Sequence, residues 1–261
     1  MLRIFKADLH VHTCLSPCAD LSMGPRAIVA HAASNGLDVI GVCDHNSAEN
    51  VPAVIRAARN RNIQVLPGME VTSKEEVHLL ALFDGAEQAL RLQELVYRNL
   101  PGRNNPEAFG LQPVVNEDQE VVGFNERLLA GATELSVEEV VASIHALEGL
   151  AIASHVDREA FGIIGQLGFI PAGLELDALE LSPNTSVEQG EQRFARYSRL
   201  RFLHSSDAHS LEDIGKVATF FRIGEPTTAE IRKALRRVQG RRIVLAEAAA
   251  CAGVAERCLA G

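Results

Sequence analysis

Short apolar runs rich in β-branched residues alternate along this chain with amphipathic stretches that have helical spacing. Strands are predicted at residues 3–9, 38–43, 63–66, 77–83, 151–154, 178–181 and 201–204. Helices are predicted at about 25–33, 48–60, 86–100, 136–148 and 227–238. The last two begin with Ser136 and Thr227, each followed three residues later by glutamate, as in a capping box. Strands that alternate with helices form parallel sheets, so the pattern predicts an α/β fold whose seven strands make a closed or nearly closed barrel.

One segment interrupts this alternation. Residues 84–133 contain a predicted helix, a stretch rich in Pro, Gly and Asn, and a hairpin with strands at 113–115 and 120–124. We interpret 84–133 as a small inserted cap segment over one mouth of the barrel, with residues 1–83 and 134–246 forming the barrel domain. The alanine-rich residues 247–261 are predicted to form a C-terminal helical tail.

Charge and composition restrict the partners. With 25 Lys and Arg against 34 Asp and Glu, the net charge is −9, and no basic stripe suited to long nucleic acid is present. The absence of Trp and the presence of only two Tyr argue against base-stacking surfaces. No apolar run approaches a membrane span, and the first residues do not resemble a secretory signal. Five cysteines, an odd number, favour reduced thiols, and we expect a cytoplasmic protein with no membrane partner.

Side chains that can bind metals gather in and just after the predicted strands. His10 and His12 end the first strand, and because residues two apart in a strand share a face, both imidazoles can bind one ion. The other candidates follow or lie in later strands: His45, Glu70, His78, His155, Asp207 and His209. The carboxyl ends of parallel barrel strands converge on one rim, so these residues predict a metal site there.

The motifs around these residues resemble those of the PHP (polymerase and histidinol phosphatase) family of metal-dependent phosphoesterases. In the family's order they are DLHVHT at 8–13, VCDHNS at 42–47, LPGMEVT at 66–72, EVHLL at 76–80, ASHVDR at 153–158 and SSDAHS at 205–210. The resemblance implies a distorted (β/α)7 barrel with a trinuclear metal centre at its rim. It is strongest to the nucleotide-phosphatase branch, in which a similarly placed cap covers the mouth.

The resemblance also implies which residues bind each ion. The first ion would be bound by His10, His12, Glu70 and Asp207. Glu70 would bridge to a second ion, completed by His78 and His155. A third ion would be bound by His45 and His209, with one further ligand from the loop after His12.

That loop departs from the family pattern. Relatives similar to nucleotide phosphatases often have Ser-Asp-Gly there, whereas this chain has Ser-Pro-Cys-Ala-Asp at residues 16–20. Asp20 and Cys18 are the two candidates for the third-site ligand. We favour Asp20, because such relatives place a carboxylate there and a thiolate would make the site prone to oxidation. Cys18 would instead favour zinc.

The implied activity is hydrolysis of small phosphomonoesters, nucleotide-like in character, by a hydroxide held between metal ions. Two or three divalent ions are expected, and imidazole and carboxylate ligands suit Zn, Mn or Fe. The predicted catalytic residues are Glu70, Asp207, His209 and Arg158, and Arg158 is placed to contact a phosphate oxygen. Asp8 and Asp44 are expected to orient metal-binding imidazoles. The alternative for Asp44 is that it binds a metal ion directly.

The expected partner is a small phosphorylated metabolite or a nucleotide, since a cap favours a small ligand over a polymer. Three alternatives stay open: a histidinol-phosphate phosphatase, an exonuclease that trims oligonucleotides, and a PHP module without catalytic activity. The sequence does not indicate an oligomeric state.

Overall fold

The computed structural model describes residues 1–245, in which most strands belong to one curled sheet. The strands of this part are β1 (Arg3–Val11), β2 (Val39–Val42), β3 (Gln64–Thr72), β4 (His78–Leu82), β5 (Pro113–Val115), β6 (Val121–Phe124), β7 (Leu150–Ala153), β8 (Ala178–Leu181), β9 (Arg201–His204), β10 (Thr219–Ile223) and β11 (Arg242–Val244). Its α-helices are α1 (Pro25–Ser34), α2 (Val51–Ala58), α3 (Ala86–Arg98), α4 (Pro106–Phe109), α5 (Val137–Ala146), α6 (Ile163–Leu167), α7 (Val187–Arg193) and α8 (Thr228–Leu235). The helical tail predicted at 247–261 lies outside the described residues. Within residues 1–245, the structure contains no helix with the length and apolar character needed to cross a membrane.

The main sheet has nine strands in the order β11-β10-β1-β2-β3-β4-β7-β8-β9. Seven of them, β1 to β4 and β7 to β9, are the strands that the sequence predicts. Beyond β9 the chain returns to β1, where the His12 N–H donates to the Ala208 carbonyl at 3.0 Å and the Ala208 N–H donates to the His10 carbonyl at 3.1 Å. This contact joins the β9 end of the curled sheet to β1, and the predicted α/β fold with a distorted barrel is confirmed.

The sheet is mixed, however, and the expectation of uniformly parallel strands is wrong. Strand β4 runs antiparallel to both β3 and β7, and β10, which the sequence did not predict, runs antiparallel to β1. Only residues 73–77 join β3 to β4, which is too few for a crossover connection between parallel neighbours. The start of β4 therefore lies at the rim where β3 ends, with His78 paired to Thr72.

Strand β3 is longer than predicted, because the chain stays extended through Pro67 and Gly68. A Cβ atom at Gly68 would lie 2.6 Å from the Ala81 carbonyl oxygen and 2.8 Å from the Cys43 sulfur, so glycine permits the close approach of β4 and β2. Glu70, expected in a turn after the strand, is therefore held inside a strand between two neighbours.

The sheet separates two apolar cores. Side chains such as Phe5, Leu66 and Phe221 fill the inside of the barrel, and a larger set packs between the outer face and the helices. Cys43 is part of the inner core, and Cys14 is buried in the outer one. Burial raises the pKa of Cys14 to about 12 and raises that of Cys43 well above its usual range, so neither is an activated thiol.

The two predicted capping boxes differ in the structure. At the start of α5, the Ser136 hydroxyl accepts from the Glu139 N–H and the Glu139 carboxylate accepts from the Ser136 N–H. At the start of α8, the Thr227 hydroxyl accepts from the Glu230 N–H, but the Glu230 carboxylate accepts from Gly224 N–H instead. The second capping box is therefore half formed.

The segment 84–133 contains α3, α4 and the β5–β6 hairpin, and it is attached to the loop that follows β2. Asn46 Nδ2 donates to the carbonyls of Leu129 and Gly131 at 2.9 and 2.8 Å. Asn50 Nδ2 donates to the Pro113 carbonyl at 3.2 Å. These bonds hold the segment against the rim loop that carries His45, and its role as a cap stays an interpretation.

Candidate metal centre

Eight histidine and carboxylate side chains meet at the rim. They come from β1, β3 and β4 and from the loops after β1, β2, β7 and β9, and we call them the histidine–carboxylate cluster: His10, His12, His45, Glu70, His78, His155, Asp207 and His209. All are buried except His209, which is half-buried. The antiparallel direction of β4 is what brings His78 to this rim, because a parallel strand would begin at the opposite end of the barrel.

Glu70 lies at the centre of the cluster. Its carboxylate oxygens are 3.0 Å from His78 Nδ1, 3.1 Å from His45 Nδ1 and 3.3 Å from His155 Nε2. Burial raises the pKa of Glu70, but the neighbouring His78, His10 and His45 outweigh this effect and hold the pKa well below its usual range. Glu70 is therefore an ionised carboxylate that several potential ligands surround, as a bridging position requires.

Three subsets of the cluster have donor atoms that all lie within 4.8 Å of one another: His10, His12, Glu70 and Asp207; His45, Glu70 and His78; and His12, His45 and His209. The first subset contains the four residues that the sequence assigned to the first ion. The second shares Glu70 and His78 with the second-ion assignment but contains His45 in place of His155, and the third contains His12 in addition to His45 and His209. His155 contacts Glu70 without joining a subset.

The cluster fits divalent cations. Within the part of the chain that the structure describes, Nδ1 of His45, Nδ1 of His78 and Oε1 of Glu70 are buried and make no hydrogen bond, although Glu70 oxygens lie 3.0–3.1 Å from both nitrogens. Each such atom costs about 1–3 kcal/mol in lost hydration. Cations ligated by these atoms would remove that cost, and a set of imidazoles and carboxylates suits Zn, Mn or Fe.

Hydrogen bonds hold Nδ1 of both His10 and His12, so their Nε2 atoms face the centre of the cluster, 3.1 Å from each other. His10 Nδ1 lies 3.0 Å from Glu180 Oε2 and donates to it. The Ser16 hydroxyl donates to Asp44 Oδ1 at 2.7 Å, so it accepts from His12 Nδ1 at 2.9 Å. In the neutral imidazole that binds a metal, a proton on Nδ1 leaves the lone pair of Nε2 for a cation at the centre of the cluster.

Sequence reasoning missed Glu180, although β8 carries a signal for it. In this strand Glu180 lies two residues after Ala178, which faces the barrel interior, so both share the inner face. The Glu180 side chain is 1% exposed, and its Oε2 also accepts from the His155 N–H at 3.2 Å. A charged residue on the inner face of a barrel strand is costly unless it has partners, and both partners belong to the cluster.

Asp8 and Asp44 accept hydrogen bonds from loop backbone N–H groups and from hydroxyl groups. Among residues 1–245, they do not accept from metal-binding imidazoles, which corrects the expectation that they orient those rings directly. Asp8 accepts from the backbone N–H groups of Ser206 and Gly215 at 3.0 and 2.8 Å. Burial raises the pKa of Asp8 to about 6, although these hydrogen bonds lower it. Asp44 reaches His12 only through Ser16, and it joins none of the three metal-capable subsets found among residues 1–245.

Two cluster residues have a left-handed backbone, with φ of 26° at His155 and 51° at Asp207. Such conformations cost a non-glycine residue about 1–3 kcal/mol and persist only where the surroundings enforce them. Here Asp8 holds the Asp207 loop and Glu180 holds the backbone of His155. The fold thus stabilises a strained arrangement that aims both side chains at Glu70 and at the His10–His12 pair.

The loop after His12 places the two third-site candidates differently. Asp20 is exposed, its backbone N–H donates to the His209 carbonyl at 2.8 Å, and its carboxylate joins no metal-capable subset in the described part of the chain. Cys18 is also exposed and joins no metal-capable subset of the described residues, but its thiol lies within hydrogen-bond range of His209 and His45. Loss of hydration raises the pKa of Cys18, yet hydrogen bonds with His209 and His45 outweigh this and lower it to about 6.

Arg158 borders the cluster from the loop after β7. Its guanidinium donates to Asp207 Oδ2 at 2.6 Å, while 40% of the side chain stays exposed. Among residues 1–245, Arg158 is the arginine that contacts a cluster carboxylate.

The three remaining histidines lie apart from the cluster. They are His31 on α1, His145 on α5, where it pairs with Asp177, and His204 on β9.

Replacing Glu180 with glutamine is expected to weaken metal binding about 10–100-fold, because the neutral amide is a poorer acceptor for His10 Nδ1. Isothermal titration of the metal-free protein with Mn²⁺ measures the affinity. The control is Glu191→Gln on α7, an exposed position away from the rim. An unchanged Mn²⁺ affinity in Glu180→Gln would contradict the positioning role.

Two family profiles match this chain. The sequence profile of the family described as PHP domain matches residues 8–168, and that of the family described as PHP-associated matches residues 189–239. A 5'-3' exoribonuclease of Haemophilus influenzae is 29% identical over 80 residues, which cover 30% of this chain and 28% of that protein.

Solved structures share the fold. The lesion-specific endonuclease Q of Pyrococcus furiosus is 21% identical with a TM-score of 0.72, and the match covers 93% of this chain and 58% of that one. A protein of Bifidobacterium adolescentis described as a metal-dependent phosphoesterase is 19% identical with a TM-score of 0.55, covering 88% of this chain and 96% of that one. The chain thus spans a little over half the length of the endonuclease and about a quarter of the exoribonuclease.

Proposed function

Because the chain belongs to the PHP domain family of metal-dependent hydrolases, we propose that it hydrolyses small, nucleotide-like phosphomonoesters at the histidine–carboxylate cluster. The observation that carries the proposal is the buried Glu70 carboxylate, which several imidazoles surround at the rim of the barrel. We assign His10, His12, Glu70 and Asp207 to a first ion and Glu70, His78 and His155 to a second. His45 and His209 belong to a third.

Bound divalent ions would neutralise charge on the phosphate and lower the pKa of water, which is the chemistry that ester hydrolysis needs. The protein's contribution is to hold the ligands in place before substrate arrives. Glu180 and Ser16 fix the protonated nitrogens of His10 and His12, and Asp8 fixes the loop of Asp207. This preorganisation avoids a cost of rearrangement during the reaction.

Arg158 supplies the positive charge on the substrate side. Its exposed guanidinium is already held by Asp207, so it can reach a phosphate oxygen at the edge of the cluster with little loss of side-chain freedom. His209, half-buried beside the same loop, is the cluster histidine most accessible from solvent and completes the proposed catalytic set.

A small substrate is supported by charge and by the neighbouring segment. The net charge of −9 opposes the approach of a long polyanion. The segment 84–133 is hydrogen-bonded to the rim loop beside His45, and a cap at that position would favour a small ligand over a polymer. A phosphomonoester presents one small dianionic group, which the cluster and Arg158 can accept.

A second candidate is trimming of nucleic acid ends. It is favoured by the partial sequence similarity to an exoribonuclease and by the fold shared with an endonuclease, both of which are named for action on nucleic acids. A third candidate is hydrolysis of histidinol phosphate. The last alternative is a PHP module without catalytic activity.

The test is a comparison of hydrolysis rates for mononucleotides, nucleoside bisphosphates, histidinol phosphate and single-stranded oligonucleotides, with Mn²⁺ present. We expect the highest kcat/KM for a mononucleotide or bisphosphate. Much faster degradation of oligonucleotides would favour the second candidate, and no hydrolysis of any of them would remove the proposed activity.

The loop after His12 allows a separate prediction about the third ion. We propose Cys18, rather than Asp20, as its additional ligand, because the Cys18 thiol faces His45 and His209. Cys18→Ser should then lower the metal content by about one ion per chain, whereas Asp20→Ala, two residues away and exposed, should change it little. Elemental analysis of both variants decides between them, and the opposite pattern would restore Asp20.

A further inference from the structure

The loop between β7 and α6 forms one wall of the site. It runs from Ser154 to Gly162 and carries His155 and Arg158. A Cβ atom at Gly162 would lie 2.5 Å from the Arg158 carbonyl oxygen, so the chain folds back on itself here and only glycine fits. The loop is thus a compact turn that holds Arg158 and its neighbours at the edge of the cluster.

Phe161 is the aromatic residue of this turn. Its ring lies against His78, with centroids 4.4 Å apart and an interplanar angle of 18°. Its carbonyl accepts from the His78 N–H at 2.9 Å, so the backbone is anchored at the same place. Among the described residues, Phe161 is the aromatic side chain in ring contact with the histidine–carboxylate cluster.

The position of Phe161 is unusual for a large apolar residue. It has a φ of 60°, in the left-handed region that a bulky side chain rarely adopts, and 39% of the residue is exposed. A role limited to covering His78 would be served by a buried ring, with more apolar surface removed from water. Instead, one face of the ring is occupied by His78, and the residue remains partly exposed to solvent beside this cluster histidine.

We propose that Phe161 determines specificity by stacking against the base of a nucleotide whose phosphate contacts Arg158 and the cluster. This inference rests on the proposed phosphoesterase function. Bases stack on aromatic rings whatever their sequence, because every base has a π-face. Arg158 and Phe161 are three residues apart, so their Cα atoms lie at most about 10 Å from each other, which suits the phosphate and base of one nucleotide.

A single platform of this kind fits one nucleotide and not a long strand. The scarcity of Trp and Tyr argues against base-stacking surfaces along a polymer, and the Phe161 site is consistent with that expectation. The substrate class is then a mononucleotide, or the terminal nucleotide of a short chain, with little discrimination among bases.

The experiment compares AMP with ribose 5-phosphate, which has the same phosphate ester but lacks the base. Steady-state kinetics are measured for the wild type, Phe161→Leu and Phe161→Trp, together with metal content by elemental analysis. We expect Phe161→Leu to raise KM for AMP about 5- to 100-fold with little change in kcat, and to leave ribose 5-phosphate unaffected. Phe161→Trp should keep or lower KM for AMP.

Several outcomes would overturn the inference. Equal losses of activity on both substrates, or loss of metal in Phe161→Leu, would mean that Phe161 only supports His78. If the wild type hydrolyses neither compound, the proposed function fails separately, and calorimetric titration with AMP then tests stacking. Weaker AMP binding by Phe161→Leu would sustain the stacking, and equal binding, or none by the wild type, would overturn it.

Discussion

Glu70→Gln is expected to lose about two metal ions per chain and to reduce phosphoesterase activity about 10³-fold or more. The Glu70 carboxylate lies within 3.6 Å of nitrogens on His10, His12, His45, His78 and His155. Glutamine keeps the shape but removes the charge, and its amide N–H groups face imidazole nitrogens. A loss of several kcal/mol of charge stabilisation corresponds to a rate decrease of this size.

The comparison variants separate bridging from simple ligation. His78→Ala should remove fewer ions than Glu70→Gln, because His78 belongs to one metal-capable subset and Glu70 to two. Glu94→Gln, at an exposed position on α3, should retain full metal content and activity. Elemental analysis that finds the wild-type metal content in Glu70→Gln would remove Glu70 from the centre.

Removal of metal is expected to abolish hydrolysis and to lower the melting temperature by about 5–10 °C. The cluster contains buried donor atoms without partners. In the metal-free protein, the lost hydration of these atoms lowers the free energy of unfolding. Metal ions at a free concentration of about 100 times their Kd stabilise the folded state by about 2.7 kcal/mol. For a domain of this size, that free energy corresponds to a shift of several degrees in the melting temperature.

The measurement is a phosphatase assay and a thermal melt before and after dialysis against a chelator, followed by addition of Mn²⁺ or Zn²⁺. Both activity and melting temperature should recover. Full turnover by metal-free protein would contradict the assigned chemistry, in which a hydroxide held by the metal ions is the nucleophile. Glu180→Gln should need more Mn²⁺ than the wild type for the same recovery.

The residues of the candidate site were largely predictable because their signals are local. His10 and His12 share a face through strand geometry alone, and the Asp-x-His motif at Asp207 and His209 follows a recognisable strand. The motif order then predicted which residues come together, and the structure brings the four residues assigned to the first ion into one subset. That assignment as ligands remains for the metal analyses above to test.

Other features depended on which segments become neighbours. Nothing in the composition of residues 77–83 gives the direction of the strand. Strand β4 is antiparallel because β3 continues to Thr72 and leaves only a short connection, which brings His78 to the rim. Glu180 is a candidate positioning residue because it contacts His10, which lies 170 residues away in sequence. Cys18 is a candidate ligand because its loop packs against His209.

By itself, the sequence determined the α/β architecture, the family and the side chains able to bind metal, because apolar periodicity and ligand spacing act within a few residues. Only the tertiary structure decided the mixed direction of the sheet, the contact of Glu180 with His10 and the exposure of Phe161 beside His78. Those properties arise from pairing between distant segments, where burial and hydrogen bonding depend on neighbours that no local pattern specifies.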